Sequence, residues 1–236
     1  MLWLKGWLET RSRVVFALLW ALTFLLLFAS AVDRSKPIDG SADGLQVLLN
    51  PLALIWVFVP VWLAGSGIRT QPPFGRAARG LHGSTQFTLS LPVSRTRLLL
   101  VRAALGLLET AAVIALLVFA LWMVLPQSRA VASSGHWLMY VVTVLACSAG
   151  VYGVALVAAT LVDDVWVIPV STVAIILLWS AQFAGMVPRA ANIFRPMAES
   201  SPLVTDALPW NPMAVALVMC GVGVVAALWI ARRQEF

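Results

Sequence analysis

The chain has 236 residues, of which 61% are hydrophobic and only 11% charged, with a mean hydropathy of +0.93. Soluble domains carry roughly a quarter charged residues, so this composition excludes a water-soluble globular fold. The net charge of +6 is carried mostly by arginines flanking apolar runs, a pattern that marks membrane sidedness and contact with anionic lipid headgroups rather than nucleic acid.

The apolar residues come in blocks of roughly twenty, the length at which an α-helix crosses a hydrocarbon core. Only helices and closed barrels satisfy their backbone groups in lipid. The alternating pattern of barrel strands is missing. The expected fold class is therefore an all-α integral membrane protein with six transmembrane helices in a single domain, 1–236.

Residues 1–13 come first. Trp3, Leu4, Trp7 and Leu8 recur at helical spacing, while Lys5, Glu9, Ser12 and Arg13 gather opposite. That spacing predicts a short amphipathic helix lying in the membrane interface, with a basic extension of the first span as the alternative. The first span is expected over about 14–32. Ala29, Ser30 and Ala31 at its end resemble a signal-peptidase site, but the run exceeds a usual signal core, so the span is expected to remain. A turn-rich loop, 33–46, leads to the second span at about 47–67. A long polar loop then precedes the third span, 98–125, and a short connection precedes the fourth, 137–161. Asp163 and Asp164 join it almost directly to the fifth, 165–184; Asp164 suits a helix cap or a partner contact. Pro169 falls in the first turns of that helix and is expected to bend it.

The segment 185–211 carries Pro188, Pro196, Pro202 and Pro209 yet is rich in apolar residues. This combination predicts short broken helices re-entering the outer leaflet. The sixth span follows at about 212–230. Small residues recur in "ACSAGVYGVALVAA" (146–159) and "CGVGVVAA" (220–227); they permit close helix–helix approach, within one chain or between two.

Sidedness follows from the basic residues. Lys5, Arg11, Arg13, Arg69, Arg76, Arg79, Arg95, Arg97, Arg102, Arg232 and Arg233 fall on the side of the termini; Arg34, Lys36, Arg129, Arg189 and Arg195 fall on the other. Both termini and the 68–97 loop are thus expected in the cytoplasm. Trp122, Trp137, Trp210 and Trp229 lie near span ends, where an indole half in water is favoured.

The chemistry the chain lacks narrows its function. The only lysines are Lys5 and Lys36, and no phosphate loop, nucleophile elbow or zinc-protease helix occurs. His82 and His136 fall on opposite sides of the membrane, and Cys147 and Cys220 read as packing residues inside spans. No catalytic residue, metal or cofactor is expected on this chain. Glu109 is the acid inside a span, roughly 10 Å deeper than Arg102 at 1.5 Å per residue. It reads either as a polar point on a substrate or proton path, or as a hydrogen-bonded acid tying helices together.

Between the second and third spans, Phe87 and Leu91 are four apart and share one side of a helix. Alternation of Phe87, Leu89 and Leu91 also suits a strand, but a lone strand here has no visible partner. Pro92 ends the element, Ser94 can cap the next helix, and Arg95, Arg97 and Arg102 can anchor its inner end. A short helix over 83–92 with apolar residues outside the bilayer calls for a protein partner.

The stretch "GSTQFTLSLPVSRTRLLLVRAALG" (83–106) resembles the signature of type-2 ATP-binding-cassette (ABC) transporter permeases, and the end "ARRQEF" (231–236) is similar to that family's usual finish. The resemblance covers the layout of nearly the whole chain. Where the family often has acids, this chain has Arg76, Arg79, His82 and Gln86. The resemblance implies that 83–92 is a coupling helix, with Phe87, Leu89, Leu91, Pro92 and Arg95 contacting a separate ATPase subunit. It further implies a working unit of two permeases and two ATPases, ATP and Mg held by the partner, and export across a bacterial plasma (inner) membrane. The competing expectation is an ATP-independent, proton-coupled carrier using Glu109.

Overall fold

The computed structural model describes residues 2–31, 42–64, 94–124, 132–162, 164–199, 201–204 and 207–233. Among them the chain is all-helical, with no strand: α1 (Leu2–Ala31), α2 (Ala42–Leu63), α3 (Arg95–Val124), α4 (Ser134–Leu161), α5 (Asp164–Phe183), a 3-10 turn (Arg189–Ala191), α6 (Arg195–Ala198), α7 (Ser201–Val204) and α8 (Trp210–Arg233). Among the described residues five stretches are long and apolar enough to cross a membrane: Thr10–Leu27, Thr96–Val124, Ser134–Leu161, Trp166–Phe183 and Trp210–Arg233. The protein is a multi-pass α-helical membrane protein. α2 contributes a shorter apolar stretch, Leu52–Leu63.

α4 is the central pillar. Of its membrane-length stretch 61% is buried, against 22% for those of α1 and α5, and it packs on α2, α3, α5, α6, α7 and α8. Its tightest neighbour is α8. A Cβ on Gly153 would stand 2.7 Å from Cys220 Cα, and one on Gly150 would stand 3.0 Å from Ala216 Cα. Only glycine lets the backbones come this close, which is how small-residue seams substitute for the hydrophobic effect in lipid. The two small-residue stretches therefore pack on each other within one chain. Cys147 and Cys220 are buried and unpaired to each other, as packing residues are.

Contacts fix the helix directions. Gly6 lies on Leu105 and Thr10 on Glu109, so α1 and α3 are parallel. Gly150 on Ala216 and Gly153 on Cys220 make α4 and α8 parallel. Phe16 stacks on Trp62 and Trp20 meets Phe58 edge-on, so α1 and α2 are antiparallel. α4 packs along α3, where Tyr152, near the end of α4, reaches the carbonyl of Ala103, near the start of α3. One end of the bundle thus collects the starts of α1 and α3 and the ends of α2, α4 and α8. Arg97, Arg102, Arg232 and Arg233 all lie toward it.

Several boundaries follow local chemistry. Ser94 Oγ accepts the Arg97 N–H at 3.3 Å and caps α3, as its place after Pro92 leads one to expect. Ser133 Oγ accepts the His136 N–H at 3.4 Å and starts α4 a turn before the expected 137. α5 runs through Pro169 and closes at Gly185, whose φ of 78° is left-handed; Met186 N–H then bonds the carbonyl of Ala181 at 3.2 Å, a glycine-dependent terminus.

Three expectations are corrected. The boundary at residue 13 is absent: α1 is one helix of 30 residues, about 45 Å long, because no proline separates the amphipathic turns from the apolar ones. Trp3, Leu4, Trp7 and Leu8 remain exposed along it. α2 begins at Ala42, inside the expected 33–46 loop. Trp137 is not an interfacial anchor but is 5% exposed, packed edge-on to Tyr140.

The segment after α5 forms the short helical pieces expected of it, and they are tightly docked. Ile193, Phe194 and Met197 are fully buried. Gln182 Oε1 accepts the Ile193 N–H at 3.0 Å. Asn192 Oδ1 accepts the N–H groups of Phe194 and Arg195 at 3.0 and 3.1 Å. Phe194 stacks on Trp179 at 4.9 Å, and the Tyr140 hydroxyl donates to the carbonyl of Met197 at 3.3 Å. Tyr140 lies about 9 Å along α4 from its start, so α6 sits beside the first turns of that helix rather than beyond its end.

Candidate functional site

The expected ATPase contact lies largely outside the described residues: Phe87, Leu89, Leu91 and Pro92 belong to 65–93. Arg95 is the first residue of α3, and its side chain is likewise outside the description. The segment that carries these residues leaves from α2 and returns to α3 at the arginine end.

Glu109 is 4% exposed and faces α1. Gly6 brings α1 onto α3, since a Cβ there would stand 2.9 Å from Leu105 Cδ2. One turn on, the buried Thr10 hydroxyl donates to Glu109 Oε1. Glu109 Oε2 is buried with no hydrogen-bond partner. Around it, Thr110 donates to the Gly106 carbonyl at 2.7 Å, and Tyr152 on α4 donates to the Ala103 carbonyl at 3.0 Å. Gly106 leaves room for the Tyr152 hydroxyl, which contacts the place its Cβ would fill. Three helices thus surround one carboxyl with a single partnered oxygen. Such a group can hold a proton or take up a water when the helices part. It also ties α1 to α3.

A second polar centre lies toward the opposite end. Trp56 Nε1 on α2 donates to the Tyr140 hydroxyl at 3.0 Å, and Ser148 Oγ donates to the Trp56 carbonyl at 3.0 Å. With the Met197 bond, Tyr140 pins α2, α4 and α6 together. Sequence reading did not single out Thr10, Tyr140, Tyr152 or Gln182. A usable signal was present: both tyrosines of the chain fall inside one apolar run, and a buried phenol needs a hydrogen-bond partner.

Between α1, α2 and α5 lies an apolar crevice of about 140 Å³, lined by Ala17, Trp20, Phe58, Trp62 and Ile168 among others. It offers no polar group and suits only hydrocarbon. Among the described residues no group of three or more His, Cys, Asp or Glu side chains is placed to hold a metal ion. Compared with protein-family models, curated proteins and solved structures, the chain has no match in any of the three.

Proposed function

We propose that the protein is the permease subunit of an ABC exporter, with six spans, α2 among them, and both termini in the cytoplasm of a bacterial plasma membrane. The observation that carries this reading is the sequence "LSLPVSR" (89–95) in a segment that joins two helices at the arginine end. In this reading 83–92 is an amphipathic stub, and only Val93 separates Pro92 from the Ser94 cap of α3. A partner that pushes the stub moves α3 with it, because little chain is left to absorb the displacement. In this reading Phe87, Leu89, Leu91, Pro92 and Arg95 contact the ATPase, which holds ATP and Mg, while this chain performs no catalysis. Two permeases and two ATPases form the working unit. The docked pieces between 189 and 204 then form a re-entrant cover on the outer side, beside the first turns of α4.

Phe87→Asp or Leu91→Asp is expected to abolish coupling to an ATPase in reconstituted complexes while membrane insertion is retained. Unchanged coupling overturns the assignment. A second reading, the proton-coupled carrier, is favoured by the unpartnered Glu109 Oε2. Glu109→Gln separates the two: a carrier loses proton coupling, whereas an ATP-driven permease keeps nucleotide-dependent activity.

A further inference from the structure

We infer that the end of α8 is a binding site for one anionic phospholipid, whose phosphate is held by Arg232 and Arg233 and whose acyl chains lie along the valine face below. This inference rests on the membrane-spanning fold and not on the transport reading. The Arg233 guanidinium lies 3.8 Å from the centre of the Trp229 ring. A guanidinium held over an indole face gains a cation–π contact and still has N–H donors free for the paired oxygens of a phosphate. Trp229 is 54% exposed, and both arginines are exposed beside it.

The same face continues down the helix as hydrocarbon. Val218, Val222 and Val225 are each more than half exposed and are spaced with Trp229 at four, three and four residues, a single stripe on a helix. From Val222 to Arg233 is about 16 Å along the axis, close to half of a hydrocarbon core roughly 30 Å thick. An acyl chain resting on the stripe therefore brings its headgroup level with the two guanidinium groups. The indole between them occupies the depth at which tryptophan is favoured. The positive charge of both arginines selects an anionic headgroup over a zwitterionic one.

The test is native mass spectrometry of the purified full chain, titrated with phosphatidylglycerol or with phosphatidylcholine of the same acyl composition. Preferential retention of phosphatidylglycerol is expected. Arg233→Gln should weaken it about 5-fold and the Arg232→Gln/Arg233→Gln pair about 30-fold, from roughly one basic contact's worth each. Arg233→Lys should lose part of the preference, because the charge stays and the planar fork goes. Trp229→Leu should weaken retention as Arg233→Gln does, and Trp229→Phe should restore most of it. Arg195→Gln, at the opposite end, should change nothing. Equal retention of the two lipids, or a loss with Arg195→Gln as large as with the pair, overturns the site. So does full displacement of the lipid by inorganic phosphate alone, which would make it a site for free phosphate, or protection of the valine stripe by a second copy of the chain.

Discussion

At the scale of single residues, glycine and tyrosine set the geometry of the bundle. Gly153 and Gly223 meet backbone to backbone, so Gly153→Ala should destabilise the protein by about 1–3 kcal/mol through forced separation of α4 and α8. Gly221, two residues from Gly223, has nothing within 4 Å of its Cβ position; Gly221→Ala should be neutral or gain up to about 1 kcal/mol in helix propensity. Unfolding in mixed micelles measures both, and equal effects would contradict the packing described. Tyr140→Phe leaves the buried Trp56 Nε1 without an acceptor, a cost of about 1–3 kcal/mol. The same melts should show it, while Tyr140→Trp would add overpacking to that loss. The sequence marks these residues as candidates but hides their partners. A glycine in an apolar run looks the same whether it faces lipid or a backbone, and a hydroxyl's partner on another helix has no local signature.

At the scale of elements, the apolar runs were legible because length and hydropathy alone decide whether a helix can span. α3, α4, α5 and α8 lie close to their expected bounds, and the Ser94 cap was readable from its place after Pro92. What sequence could not supply was lateral neighbourhood. Trp137 has the position of an interfacial anchor, yet it is buried, edge-on to Tyr140. The first turns of α1 have the pattern of an in-plane helix, yet Gly6 and Thr10 give them a seat on α3. The docked segment depends on Gln182, whose side chain is the acceptor for Ile193 N–H. Gln182→Leu should therefore raise amide exchange across 192–198 by tenfold or more, the equivalent of losing about 1.4 kcal/mol of local stability. Exchange unchanged from the parent protein would show that Phe194 stacking alone holds the segment.

For the whole molecule, the arrangement is a pillar, α4, with a rigid partner in α8 and two lightly covered helices, α1 and α5, at its flanks. The arginines of α3 and α8 gather at one end of this bundle, and the segment 65–93 joins the end of α2 to the start of α3. The claim that this segment is the handle of an ATP-driven partner is tested most directly by cross-linking. With Cys147 and Cys220 replaced by alanine, a single cysteine at Leu89 should cross-link in native membranes to a polypeptide that binds Mg·ATP, and Leu91→Asp should remove that product. A Leu89 cysteine shielded from water-soluble thiol reagents, with no nucleotide-binding polypeptide attached, would contradict it.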